Sequence, residues 1–262
     1  MALDAKKLEK LAARVDDAAL ENQAITKLTA EFPDLDFVDA YKIQRLSIGR
    51  RRERGDELVG MKMGLTSVAK MKQVGVHQPI YGHLTETMML SDGDSISRAE
   101  HIHPRAEPEL AFLISDHLRG PVTPAQAMLY VEGVCAAIEV IDSRFENFEF
   151  KLPDVVADNA SSSRFVLGSK MVRPEELDIG NLGVVFEVNG EVKQVGSTAA
   201  IYEHPARSLA ALANMLAEHD EEIEAGSIVL AGAATAAEFV HPGDHVCLRM
   251  DGLGEVRLFV VE

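Results

Sequence analysis

Two glutamates stand two residues apart in the run His103-Pro104-Arg105-Ala106-Glu107-Pro108-Glu109-Leu110-Ala111-Phe112-Leu113-Ile114. A third, Glu139, closes the apolar stretch Val134-Cys135-Ala136-Ala137-Ile138. If both segments are strands, Glu107 and Glu109 share a face, because side chains alternate with period two. Carboxylates crowded into a partly apolar cleft repel one another and take up protons. A divalent cation removes that penalty, and three oxygen donors favour a hard ion such as Mg²⁺ or Mn²⁺. In a chain with 42 acidic residues, the same spacing also arises on solvated strand faces, so spacing alone leaves both readings open. Pro108 cannot donate to a sheet ladder, which points to an edge or a strand entrance.

Lys62 lies inside the strand-like run Gly60-Met61-Lys62-Met63-Gly64-Leu65-Thr66-Ser67. A buried lysine is costly unless it meets acids or a ligand; the other reading is a surface lysine at a strand end. After it, Leu65 and Thr66 open a turn whose backbone N–H groups suit an anionic oxygen. Asp158-Asn159-Ala160-Ser161-Ser162-Ser163-Arg164 reads as a polar loop, either substrate-binding or a serine linker. Arg144, in Asp142-Ser143-Arg144, offers a carboxylate clamp or a structural ion pair. Among the histidines only His101/His103 has a spacing that suits a metal. No nucleophile elbow, P-loop or dinucleotide fingerprint occurs, which argues against a serine hydrolase, an NTPase or a Rossmann oxidoreductase.

The elements that must position these residues follow from pattern. At 262 residues, 47% hydrophobic and 26% charged, the chain has the profile of an ordinary globular protein. Its formal net charge of −16 opposes nucleic-acid binding, so an anionic substrate needs a local positive centre. No leader pattern and no long apolar run occurs, and the expectation is a cytoplasmic, soluble protein without membrane attachment. Cys135 and Cys247 sit in apolar segments and read as buried thiols.

Helices are predicted over 4–20, from Asp36 toward Gly55, from Thr66 or Ser67 to Gly75, after Thr123-Pro124 and after His204-Pro205. The basic run Arg50-Arg51-Arg52-Glu53-Arg54 reads as a solvated helix end. Strands are predicted over 58–63, 105–114, 132–141, 164–168, 182–188, 191–196, 227–231, 244–250 and 255–261. Asn189-Gly190 and Asp251-Gly252-Leu253-Gly254 serve as hairpin turns. The fold class expected is α+β: an N-terminal helical α/β region over 1–75 and a β-rich body over 76–262, together one compact unit.

Taken together, the residues resemble the fumarylacetoacetate-hydrolase superfamily, in its branch of 2-hydroxypenta-2,4-dienoate hydratases and 4-oxalocrotonate decarboxylases. The likeness rests on Lys62-Met63-Gly64-Leu65-Thr66-Ser67, Glu107-x-Glu109, Glu139 with Asp142-Ser143-Arg144, Ala157-Asp158-Asn159-Ala160-Ser161, and the run from Gly226 to Gly232 with Pro242-Gly243-Asp244. It implies a mixed β-roll body and Mg²⁺ or Mn²⁺ held by Glu107, Glu109 and Glu139, with no organic cofactor. Lys62 would be catalytic, and Leu65, Thr66, Ile80, Arg144, Asn159 and Ser161 would line the substrate. Ala69-Lys70-Met71-Lys72-Gln73-Val74-Gly75-Val76 and Gln78-Pro79-Ile80-Tyr81-Gly82 resemble the decarboxylases, and similar hydratases carry an acid where Ile80 stands.

The implied activity is loss of CO₂ from 2-oxo-3-hexenedioate (4-oxalocrotonate), giving 2-hydroxypenta-2,4-dienoate in meta-cleavage degradation of aromatic compounds. Two alternatives stand beside it: the hydratase itself, and a non-catalytic chain that stabilises a homologous hydratase. The partners implied are a small anionic 2-oxo acid, further copies of the chain in a homo-oligomer, and the hydratase.

Overall fold

The computed structural model describes residues 3–68, 71, 72 and 76–262. Helix α1 (Ala5–Glu21) starts at Asp4, whose carboxylate accepts from the Lys7 N–H, and stops at Asn22 in a left-handed conformation. After the single turn α2 (Leu28–Glu31), Asp36 caps α3 (Phe37–Glu53) by accepting from the Asp39 N–H. Leu8, Leu11, Ala12 and Val15 form the buried stripe of α1, which packs along α3. The basic end of α3 is not a solvated cap. Arg50 and Arg54 hydrogen-bond to the buried Asp16 of α1 and join the two helices. Burial pushes the Asp16 carboxyl up, but bonds from Arg54 and Arg50 outweigh it and hold it below its ordinary value.

The strands in chain order begin with β1 (Leu58–Gly64), β2 (Ile80–Thr85), β3 (Met89–Ser91), β4 (Ser95–Ser97), β5 (Arg105–Ile114) and β6 (Val131–Ile141). They continue with β7 (Ser162–Leu167), β8 (Gly183–Val188), β9 (Glu191–Ser197), β10 (Ile228–Ala233), β11 (Glu238–Phe239), β12 (His245–Met250) and β13 (Gly254–Val261). Between them lie helices α4 (Pro124–Ala127), α5 (Leu152–Ala157) and α6 (Pro205–Ala217).

The larger sheet has the order β2-β1-β10-β5-β6-β7-β3, with β11 beside β5; the smaller runs β4-β13-β12-β8-β9. Both are mixed and open, with parallel pairs at β1–β10, β3–β7 and β4–β13. The hairpins β8–β9 and β12–β13 turn where the sequence places them. Strands β2, β3, β4 and the two-residue β11 were not expected. All six residues of β2 are buried, so it shows no alternation, and β3 and β4 have three residues each. The helix predicted to end at Gly75 has its end outside the described residues, as does most of the run 69–76.

One apolar core runs from Leu8 to Val260, and β1 of the N-terminal region lies within the body's sheet. A second, smaller cluster joins Leu84 of β2, Ala111 of β5, Cys135 and Ala137 of β6, Phe165 of β7 and Leu230 of β10. Strands β2 and β7 are far apart in sheet order yet pack against one another, so the larger sheet curls around this face. The two cysteines are free and buried.

Candidate metal centre and active site

The acids project into that curl. In the antiparallel β5–β6 ladder Glu107 pairs with Glu139, and Glu109 with Ala137. Registered residues share a face, so Glu107, Glu109 and Glu139 stand on the same side as Ala111, Cys135 and Ala137. One oxygen from each carboxylate lies within 4.8 Å of the others. Glu109 and Glu139 are buried and Glu107 is half-buried.

Pro108 is not at a sheet edge, because β5 is a central strand. Its carbonyl accepts from the Ala234 N–H at the place where the β10 register breaks before β11. The missing donor therefore falls in a gap of the ladder.

Lys62 reaches the same group from β1. Its Nζ lies 2.9 Å from Glu139 Oε2 and donates to Ala160 O at 3.2 Å, with the side chain 3% exposed. Burial alone would push this ammonium down. Attraction to Glu139, Glu109 and Glu107 outweighs it and holds the pKa above its ordinary value. Glu109 is pushed well above the carboxylate range by burial first and by Glu139 next, against the pull of Lys62. Burial and the neighbouring Glu139 thus outweigh the Lys62 ammonium at Glu109, a carboxyl that resists ionisation.

The surrounding polar groups fix the acids. Glu109 Oε2 accepts from the Gly232 N–H at 2.7 Å, and Glu139 Oε1 from Ser162 Oγ at 3.1 Å. Glu139 Oε2 has the Lys62 ammonium beside it and no hydrogen bond among the described residues. Gly232 has φ +109°, and a Cβ there would lie 2.3 Å from Thr66 Oγ1, so only glycine lets this N–H reach Glu109. Leu65 itself is left-handed at φ 57°. Ile80 Cγ1 and Lys62 Nζ lie 3.2 Å and 3.7 Å from the point where a Gly64 side chain would begin, so both border the space over Gly64.

The segment read as a polar loop is a buried, left-handed turn. Asn159, Ala160 and Ser161 have φ of 51°, 51° and 59°, and Ser162 already belongs to β7. Asn159 does not present its amide to the curl. Oδ1 accepts from His83 N at 2.7 Å and Nδ2 donates to His83 O at 2.9 Å, which ties the turn to β2. Arg144 takes the second of its two offered roles. Its buried guanidinium pairs with Asp158 and donates to the carbonyls of Asp142, Ser162 and Asp158. These donors are spent on structure, so the carboxylate clamp is set aside. Ser161 Oγ, buried at 3% exposure, has no hydrogen-bond partner among the described residues and is free for a ligand.

His101 and His103 do not join the acids: their rings bond Ser97 O and Phe145 O. Gly82, Ser162 and Gly232 were missed as site residues. A Cβ on Gly82 would meet Asn159 O at 2.6 Å, a close approach that no local motif announces. Only the glycine run that includes Gly232 carried any signal.

The donor set fits a hard divalent ion: three convergent carboxylates, two of them buried, with the Lys62 ammonium beside Glu139. Residues 60–261 match the family described as fumarylacetoacetate (FAA) hydrolase C-terminal. The chain belongs to the fumarylacetoacetate hydrolase family.

Within this family, the chain is 47% identical to the 4-oxalocrotonate decarboxylase of Pseudomonas sp. (strain CF600), over 94% of both chains. It is 37% identical to the 2-hydroxypent-2,4-dienoate hydratase of Pseudomonas putida, over 82% of this chain and 97% of that one. The solved 4-oxalocrotonate decarboxylase from Pseudomonas putida G7, complexed with magnesium and adipate, superposes with TM-score 0.97 at 43% identity over 99% of both chains. The family match accounts for the mixed open sheets, and the N-terminal helical region is shared with that solved structure. No helix of the described residues is long and apolar enough to cross a membrane.

Proposed function

We propose that this chain is a divalent-metal-dependent carboxy-lyase that converts 2-oxo-3-hexenedioate to 2-hydroxypenta-2,4-dienoate and CO₂. The observation that carries this reading is Lys62 set among Glu107, Glu109 and Glu139, with Ile80, not an acid, bordering the same space over Gly64. Decarboxylase relatives at 45–47% identity, against hydratases at 33–37%, support the same choice.

Glu107, Glu109 and Glu139 would hold Mg²⁺, or Mn²⁺ in its place. When bound, the ion supplies Lewis acidity toward the 2-oxo group and the carboxylate next to it. The C5–C6 bond breaks, CO₂ leaves, and the electron pair passes through the C3–C4 double bond toward the C2 oxygen. Lys62 is charged and has three N–H donors, of which Ala160 O takes one while Glu139 Oε2 lies beside the ammonium. A remaining donor would hold a proton at that oxygen. Ser161 Oγ and the Leu65-Thr66 backbone would orient the substrate. Ile80 keeps water from the activated diene, and water addition there is what a hydratase requires. The same reading places the enzyme in the cytoplasm, as a homo-oligomer able to associate with a homologous hydratase.

The test is the purified protein with Mg²⁺ and 2-oxo-3-hexenedioate, CO₂ and substrate absorbance being followed together. Stoichiometric CO₂ release that stops on chelation is the expected result. Water addition to 2-hydroxypenta-2,4-dienoate without any CO₂ release would replace this reading by the hydratase.

A further inference from the structure

Arg105 stands two residues before Glu107, on the same face of β5 and at the outer end of the acidic row. Its guanidinium carbon lies 3.8 Å from the ring centroid of Phe148 and 4.0 Å from that of Phe239. Phe239 is its registered partner on β11, while Phe148 comes from the turn after β6 and leans on His103 and Phe150. The guanidinium carbon stands over both rings, which hold the group by cation–π contact and leave its N–H donors for another partner.

Those donors are not committed. Among the described residues no carboxylate comes within ion-pair distance of Arg105, and its buried Nε has no hydrogen-bond partner. Glu107 acts on this arginine through space, yet no described carboxylate pairs with it directly, which leaves its donors available to an anion. A flat cation with a bare edge matches a carboxylate in bidentate fashion. Its strand position lies about 7 Å from that of Glu107. In a substrate anchored at the acids by its 2-oxo acid end, a second carboxylate would extend toward this rim.

We propose that Arg105, clamped by Phe148 and Phe239, is the binding subsite for the distal carboxylate of a six-carbon 2-oxo dioate. The inference rests on reading Glu107, Glu109 and Glu139 as the anchor of the 2-oxo acid end. It makes the enzyme selective for dioates over monoacids of equal length. The clamp also fixes the direction of the C5–C6 bond, which must stand across the plane of the conjugated system for its electrons to enter it. It does not retain the product, because CO₂ carries no charge for Arg105 to hold.

The test uses two stable analogues with the same head, 2-oxoadipate and 2-oxohexanoate, titrated calorimetrically into the Mg²⁺-loaded protein. The wild type should bind 2-oxoadipate at least about tenfold more tightly, the scale of a charge-assisted pair. Arg105→Met should abolish that preference while Mg²⁺ binding and 2-oxohexanoate affinity hold. Phe239→Leu should weaken the preference without removing the charge, and it serves if the first variant folds poorly. Equal binding of both analogues by the wild type, or a preference that survives Arg105→Met, overturns the subsite.

Turnover separates this inference from the activity. If 2-oxo-3-hexenedioate loses no CO₂ but the Arg105-dependent preference is present, the decarboxylase reading fails and the subsite stands. If CO₂ is released and Arg105→Met leaves KM unchanged, the subsite fails and the decarboxylase stands.

Discussion

Glu107 and Glu139 face each other directly across the β5–β6 ladder, two acids in a position where like charges destabilise a sheet. Lys62 answers only part of that charge. On the proposed reading of these acids as a metal site, the pairing costs the metal-free fold some stability.

Glu109→Gln tests this cost. Glu109 has its pKa raised by burial and then by Glu139, so the folded protein keeps a proton that the unfolded chain releases. The associated stability is fully present below the ordinary carboxylate pKa and is lost as pH rises through the raised value. At neutral pH the variant should melt a few degrees higher than the metal-free wild type, since about 1 kcal/mol corresponds to roughly 2–4 °C at this size. It should lose the Mg²⁺-dependent rise in Tm. Melting curves with and without Mg²⁺ from pH 5 to 8 decide the matter, and a variant that still responds to Mg²⁺ speaks against the site.

Lys62→Met separates chemistry from metal binding. Loss of the ammonium removes a cation that competes with the metal, so Mg²⁺ should bind at least as tightly as in the wild type. Turnover should fall at least about 100-fold, the scale of a lost proton donor. Without metal the variant should unfold more easily, because Glu139 is left buried and unpaired. Calorimetric Mg²⁺ titration beside steady-state kinetics reads both effects. Weakened Mg²⁺ binding with normal kcat would reverse the assignment.

The acids were legible because strand alternation and register act over a few residues. Once 105–114 and 132–141 are strands, the pair at 107 and 109 and the lone acid at 139 need only one ladder to meet. Lys62 was legible for a related reason, being a charge in an apolar run. Arg144 and Asn159 were read as substrate contacts because their bonds go to Asp158 and to the His83 backbone, partners that no short spacing reveals. Arg105 stood in plain view. Its meaning came from Phe148 and Phe239, which reach it from a turn and from a two-residue strand far along the chain.

Arg144→Met should act on stability rather than on affinity. Its guanidinium is buried against Asp158 and three backbone carbonyls, and Asp158 is already pushed up to about 6 by burial despite the pair. Breaking a buried pair on one side costs about 3–5 kcal/mol. Denaturant unfolding should show that loss, while KM in the folded fraction stays within about twofold of wild type, well under the cost of a lost charged contact. A large rise in KM with unchanged stability would return Arg144 to the substrate.

Gly232→Ala probes the backbone that holds Glu109. The new methyl would meet Thr66 Oγ1 at 2.3 Å, and φ of +109° is foreign to alanine. Strain of this kind costs about 1–3 kcal/mol, and relieving it by rotating the peptide withdraws the N–H from Glu109. Stability and Mg²⁺ affinity should therefore fall together. The double variant Gly232→Ala with Thr66→Ala removes the clash but not the strained φ, so it should recover part of the stability. Coupling of at least about 0.5 kcal/mol in that cycle is expected for touching residues. Strict additivity would mean that Thr66 and Gly232 do not hold Glu109 in place together.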